Sequence, residues 1–303
     1  MNQKALITGA TGYIGSKLCQ LLLADGWQVD VLVRETGRPL AQTLVGKVAP
    51  HFYDGSTQSV MDAVAAANPD VVFHLASLCI VEHRSEQVTD LINSNLLFGT
   101  QLAEACVRTD VKRFVNTGTS WQHYRSDFYD PVCLYAATKQ AFEDILDFYA
   151  DAFSMRVITL KLFDTYGPDD PRPKLVNLLV NAIESGEALG MSPGEQMLDL
   201  VHIDDVTRAF AVCAQHLMDG VLPQPHVRYA VSSGKPLSVR QLVALLEQIS
   251  GKPLNVTFGA RPYREREVML PWQGGQQVPG WQTATAIRPD LAAMLRSLAQ
   301  PEV

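Results

Sequence analysis

Two side chains four residues apart, Tyr135 and Lys139 in "LYAATKQAFED", offer the clearest chemistry in this 303-residue chain. At that spacing on a helix they share one face. An ammonium held near a phenol favours the phenolate and lowers its pKa from ~10, so the tyrosine can give and take a proton near neutrality. Upstream, "RFVNTGTS" brings Thr119 to the C-terminal end of a strand-like run, with Ser120 beside it. Ligands of open α/β sheets bind outside that edge. Near the N-terminus, "ITGATGYIG" places Gly9, Gly12 and Gly15 between two different patterns. Before them, "KALIT" is an apolar run of strand length. After them, "SKLCQLLLADG" puts Leu18, Leu21 and Leu22 on one helical face. A turn without Cβ atoms lets a phosphate approach the N–H groups at a helix N-terminus, and a dinucleotide is the natural ligand. The spacing G-x-x-G-x-x-G differs from the standard G-x-G-x-x-G fingerprint, so the turn needs the support of the other segments.

The elements that must position these groups are legible as an alternation. Strand-like runs "KALIT", "QVDVLV", "VVFHLA", "RFVNTG" and "RVITLKL" are separated by helical stretches "SKLCQLLLADG", "TQSVMDAVAAAN", "LLFGTQLAEACVRT" and "YAATKQAFEDILDFYADAF". Such β-α order over the first ~165 residues predicts a doubly wound parallel sheet with helices on both faces. The unalternating apolar strands fit burial on both sides. After Phe163 the Pro/Gly/Asp cluster "DTYGPDDPRPK" marks departure from the first domain. "DLVHIDDVTRAFAVCAQHL" reads as a strand and a helix, capped by Asp204 or Asp205, that return to the sheet. From about Ser233 the chain is loop-rich, with one clear helix, "SVRQLVALLEQISG", ending at Gly251. The expected division is 1–164 with 197–232 as a Rossmann domain, and 165–196 with 233–303 as a smaller α/β substrate domain.

Composition narrows the class. The chain is 47% hydrophobic and carries a net charge of −7, which argues against a nucleic-acid or anionic-membrane surface. Cysteines 19, 79, 106, 133 and 213 are scattered, with no C-x-x-C pair, and read as reduced core thiols. No His/Cys/carboxylate spacing suggests a metal. No run has the pattern of a signal peptide or reaches the ~18 apolar residues of a membrane span, so the cytoplasm is the expected location.

"TGATGYIG", "DVVFHLAS", "GTS", "YAATK", "LKLFDTYGPDDPR" and "DLVHIDDV" follow one another in an order that resembles the extended short-chain dehydrogenase/reductase family of nucleotide-sugar epimerases, dehydratases and reductases. The resemblance spans nearly the whole chain. It implies that Tyr135 is the general acid/base, that Lys139 holds the nicotinamide ribose and tunes the tyrosine, and that Thr119 or Ser120 binds the reacting oxygen. It also implies a cofactor site formed by Gly9, Thr11, Gly12, Tyr13, Ile14 and Gly15, by Leu75, Ala76 and Ser77, and by Phe163, with Asp54 and Gly55 near the adenine. NAD-preferring members carry an acid at the end of the second strand. Here that place holds Val33 followed by Arg34, which favours the 2′-phosphate of NADP(H) over NAD(H).

The same resemblance bears on the reaction. The family's dehydratases carry an Asp-Glu pair after the catalytic Thr, and here Ser120 and Trp121 stand there, which disfavours 4,6-dehydration. "GTS…LYAATKQ" and "LKLFDTYG" are similar to the CDP-abequose and CDP-paratose synthase subgroup, which reduces a nucleotide-linked 4-ketosugar. The expected activity is thus an NADPH-dependent 4-ketoreductase of a nucleotide-linked 6-deoxy or 3,6-dideoxy hexose. A 4-epimerase holding NAD is the alternative, and a non-catalytic dinucleotide sensor a third. "RPYREREV" resembles the family's diphosphate-binding segment, which makes Arg264 the phosphate ligand, with Glu267 as its acidic partner and Arg266 as the substitute. His123 and Tyr124 are expected to line the sugar pocket. The helices around 95–108 and 135–153 resemble those that the family pairs into a homodimer.

Overall fold

A computed structural model describes residues 3–35 and 37–299 of the chain. Its first part runs β1 (Lys4–Thr8), α1 (Tyr13–Ala24), β2 (Gln28–Arg34), β3 (Ala49–Tyr53), α2 (Thr57–Ala67), β4 (Val71–His74), α3 (Val88–Ile92), α4 (Phe98–Arg108), β5 (Arg113–Thr119), α5 (Leu134–Phe153) and β6 (Arg156–Leu162). It continues through β7 (Asp164–Tyr166), α6 (Leu175–Ser185), β8 (Leu189–Met191), β9 (Met197–Leu198), β10 (Leu200–His202), α7 (Ile203–Asp219) and β11 (His226–Val231). The last elements are β12 (Leu237–Ser238), α8 (Val239–Ser250), β13 (Val256–Phe258) and α9 (Ile287–Ala299).

Seven parallel strands form the main sheet in the order β3-β2-β1-β4-β5-β6-β11. This is the doubly wound architecture that the alternation predicts. The order reverses between β1 and β4, and a crevice opens there at the strands' C-terminal ends. Period-2 alternation decides which helix each strand side chain meets. Ala5 and Ile7 of β1 pack with Leu18, Cys19 and Leu22 of α1 and with Ala209, Phe210 and Cys213 of α7. Leu6, between them, faces Val60 and Val64 of α2, Leu102 of α4 and Leu146 of α5. A separate cluster joins Val176 and Leu179 of α6, Leu242 and Leu246 of α8, and Leu291 and Met294 of α9. Val278 and Trp281, late in the chain, pack into the α1/α7 side of the main sheet.

Four sequence expectations change here. The strand in "DLVHI" is β10, and it pairs with β7 rather than with the main sheet, although α7 does pack on that sheet. The α7 N-cap is His202, whose Nδ1 accepts from the Asp204 backbone N–H at 3.3 Å, so neither aspartate caps it. β3, β11 and α9 are additional elements. Cys19, Cys106 and Cys213 are buried, but Cys79 is exposed and Cys133 half-buried, so two of the five are not core thiols. Helix α8 is as expected, with the Ser238–Gln241 capping box at its start and left-handed Gly251 at its end. Among the described residues, no helix is long and apolar enough to cross a membrane.

Candidate active site

The glycine turn lies between β1 and α1. Gly9 has φ +78°, a conformation that L side chains rarely adopt, and a Cβ there would come within 2.6 Å of the Ala76 backbone nitrogen. That close approach locks the turn against the segment after β4, where Leu75 N–H donates to Thr8 O and Ala76 N–H to Thr8 Oγ1. Gly12 is the exposed N-cap of α1 and has no side chain, so the first N–H groups of the helix face the crevice. Thr11 and Ile14 flank it, half-buried, while Gly15 is buried against the Gly9 carbonyl. Tyr13 points inward: its hydroxyl donates to Pro168 O at 2.9 Å, and the Arg172 guanidinium lies over its ring. An open helix N-terminus of this shape fits a pyrophosphate.

Tyr135 and Lys139 lie one turn apart near the start of α5, both buried. The Lys139 ammonium donates to no protein group among the described residues, which leaves its N–H groups for a hydroxyl-bearing ligand such as a ribose. Burial lowers the Lys139 pKa to about 8, against the pull of Cys79 and Glu143. The expected depression of the phenol is not found. Burial raises the Tyr135 pKa well above its ordinary value, Cys79 and Cys133 add to this, and the Ser77 hydroxyl and Arg172 only partly oppose it. Desolvation dominates, so the phenol is held protonated.

Thr119 ends β5, and its hydroxyl accepts from the Trp121 N–H at 3.3 Å, which leaves its own proton free to donate. Ser120 follows it, also buried. The loop beyond carries His123 and Tyr124, and it is clasped by a segment about 140 residues later in the chain. His123 stacks on Trp272 with centroids 4.0 Å apart, Trp272 Nε1 donates to Asp127, and Arg266 pairs with Asp130 while lying over the Tyr124 ring. Trp272 is also parallel to Phe163, and both line a cavity of about 310 Å³ with Asp199, Ser232 and Gln277.

Arg266 is therefore engaged by the loop, whereas the Arg264 side chain is exposed and its field reaches Asp164 and Cys133. Glu267 accepts from the Arg264 backbone N–H rather than pairing with its guanidinium. Arg34 ends β2 in the open, followed by exposed Glu35, an acid that the reading of Val33-Arg34 left out. Asp54 holds the start of α2: Ser56 N–H donates to its Oδ1 at 2.8 Å, and such bonds lower its pKa to about 2. The adjacent Gly55 carbonyl accepts from Gln101 Nε2 at 3.2 Å.

Sequence reasoning missed several groups. Asn95, almost fully buried in the π-helical turn Asn93–Leu97, accepts from Leu78 N–H and the Ser77 hydroxyl, and its amide meets Leu78 O and Thr138 Oγ1. It ties the segment after β4 to α5. Asp164, half-buried, is raised by burial against the pull of Lys174, Arg264 and Arg172. Trp272 belongs here too. Neither Asn95 nor Trp272 gives a local signal: Asn95 stands among the polar residues of "TDLINSNLLFGTQ", and its burial is a property of the fold.

The sequence model of the NAD dependent epimerase/dehydratase family matches residues 5–227. The chain belongs to that family. Among relatives of the epimerase/dehydratase family, the CDP-abequose synthase of Yersinia pseudotuberculosis is 26% identical over 274 residues, covering 88% of this chain and 91% of its own. The UDP-glucose 4-epimerase of Mycolicibacterium smegmatis is 26% identical over 308 residues, covering 95% and 96%. The solved structure of MoeE5 in complex with UDP-glucuronic acid and NAD superposes with a TM-score of 0.84 at 26% identity, over 98% of this chain and 99% of that one.

Proposed function

We propose that this protein is an NADPH-dependent reductase of the C4 ketone of a nucleotide-linked deoxyhexose. One observation carries the proposal: Tyr135 is buried and shares a helix face with Lys139 on α5, the helix that Gln122 ties to Thr119 at the end of β5, with Ser120 beside it. Reduction of a ketone needs a proton donor for the developing alkoxide, and a protonated phenol meets that need. The relative that makes CDP-abequose and the MoeE5 complex with a UDP-sugar support a nucleotide-sugar substrate.

The glycine turn and the N-terminus of α1 fit a dinucleotide pyrophosphate, and the free donors of Lys139 fit its nicotinamide ribose. A bound nicotinamide would supply the hydride. The protein's own part is to orient the ketone and deliver the proton: Thr119, with Ser120 as its substitute, donates to the carbonyl oxygen, and Tyr135 then transfers its proton there. Arg264 takes the diphosphate, with His123 and Tyr124 on the sugar side. Arg34 selects the 2′-phosphate. A charge-assisted hydrogen bond of ~1.5–3 kcal/mol corresponds to roughly 10- to 100-fold in affinity.

The test follows NADPH absorbance with CDP-, dTDP-, GDP- and UDP-linked 4-keto-6-deoxy sugars, together with product analysis. Stoichiometric NADPH consumption is expected with one of them, and Arg34→Ala is expected to lose the preference for NADPH over NADH. On the corresponding 4-hydroxy sugar nucleotides, inversion at C4 without NADPH consumption would instead establish a 4-epimerase with bound NAD, the second reading, which Glu35 beside Arg34 favours.

A further inference from the structure

Beneath the candidate site lies a buried acid that the chemistry above does not use. Glu143 is fully buried on α5, two helical turns beyond Tyr135 and one beyond Lys139, so the three share a face. Its Oε1 accepts from Gln122 Nε2 at 2.8 Å and its Oε2 from Arg228 Nε at 2.9 Å. The Lys161 ammonium stands 3.7 Å from Oε2.

Each contact continues into the site. Gln122 Oε1 accepts from the Thr119 backbone N–H at 2.9 Å, so the chain Glu143–Gln122–Thr119 ends on the candidate hydroxyl residue. Lys161 donates to His123 Nε2 at 2.7 Å. His123 Nδ1 lies 3.1 Å from the Phe128 carbonyl, which can only accept, so Nδ1 carries the proton and the ring is neutral. Burial and the Lys161 charge both lower the His123 pKa, in keeping with that tautomer. The backbone is shaped around this junction: a Cβ on Gly118 would lie 2.9 Å from Glu143 Oε1 and 3.0 Å from Gln122 Oε1.

We propose that Glu143 is a positioning residue whose carboxylate sets two walls of the site at once, Thr119 through Gln122 and His123 through Lys161. The inference rests on the reading of Thr119, Tyr135 and Lys139 as the reacting groups. One buried charge thereby fixes the strand-end hydroxyl and the Trp272-stacked imidazole relative to the helix that carries the acid. Arg228 and Asp147 balance the junction from the outer side.

The test uses the full chain, labelled with ¹⁵N in threonine and histidine, as wild type and as Glu143→Gln. Removal of the charge is expected to shift both the Thr119 amide and the His123 ring resonances. On whichever sugar nucleotide the wild type reduces, kcat is expected to fall on the order of 10²-fold with little change in KM, the cost of a misplaced reacting group. Gln122→Leu and Lys161→Met cut one branch each and keep the carboxylate paired with Arg228. The first is expected to move only the Thr119 signal and the second only the His123 signal, and they decide the matter if Glu143→Gln does not fold. Wild-type resonances in a folded Glu143→Gln, or stability lost with kcat per folded molecule unchanged, overturn the proposal. If no sugar nucleotide is reduced by the wild type, the reductase reading falls, and the two resonances still decide whether Glu143 positions the site.

Discussion

Lys139 shows how one residue can oppose stability in favour of chemistry. Its folded pKa of about 8 lies below the ordinary 10.5, so between those values the unfolded chain holds a proton that the folded protein has released. Stability therefore rises with pH across that window, and below it the full cost of a buried ammonium is present. Lys139→Met is expected to stabilise the cofactor-free protein at pH 7, by a margin that shrinks towards pH 10, as urea denaturation at several pH values would show. An equal margin at every pH would refute the shift. The same variant should lose turnover, and wild-type kcat/KM should decline as pH rises through about 8 and the ammonium is lost. Tyr135→Phe separates binding from proton transfer: cofactor binding should persist, with turnover reduced by the ~10²–10⁴-fold typical of a positioned acid/base. Full activity in that variant would remove Tyr135 from the mechanism.

At the scale of elements, the site depends on a few residues that connect one element to the next. Asn95 joins the segment after β4 to α5 through four hydrogen-bond contacts, all to groups that lose a partner if it is removed. Leaving a buried polar group unsatisfied costs about 1–3 kcal/mol. Asn95→Ala should therefore lower unfolding stability by at least that much and weaken cofactor binding, since Ser77 and Leu78 lose their anchor. Calorimetry and a cofactor titration check both parts, and an unchanged cofactor affinity would show that the segment holds its shape without Asn95. What was legible in the sequence follows from the same physics. β1, β2, β4, β5 and β6 are apolar runs because they are covered on both faces, and they were readable without alternation. β3 and β11 are the two edge strands, and "APHFY" and "HVRYAV" carry polar or exposed residues that break the run. Tyr135, Lys139 and the glycine turn were legible because their chemistry lies in local spacing. Trp272 on His123 was not, because that contact joins residues far apart in sequence. The phenol's pKa was misjudged for a related reason: spacing reveals the ammonium, but burial is a property of the whole fold.

At the scale of the molecule, the helices behind the site leave apolar surface uncovered. Phe148 of α5 is 58% exposed although it lies edge-on to Tyr149 and Phe153, and Leu97, just before α4, is 46% exposed. Ile92 at the end of α3 adds to them. The sheet needs only one face of α5, the one bearing Phe142 and Leu146, and Phe148 lies outside that cluster, meeting it only at the rings of Tyr149 and Phe153. Burial of such a side chain is worth about 1.5–3 kcal/mol, and two copies related by a two-fold axis would bury each side chain twice. We propose that the α4/α5 face pairs two chains, and that Phe148 stands near the centre of the contact. Light scattering at micromolar concentration should give the mass of a dimer for the wild type and of a monomer for Phe148→Asp, because a carboxylate there would have to be desolvated without a partner. The same α5 carries Tyr135 and Lys139 at its other end, so pairing would also brace the catalytic helix. Phe148→Asp should then show a lower melting temperature in the cofactor complex as well as a smaller mass. A wild type that remains monomeric at that concentration would remove both the pairing and this bracing role.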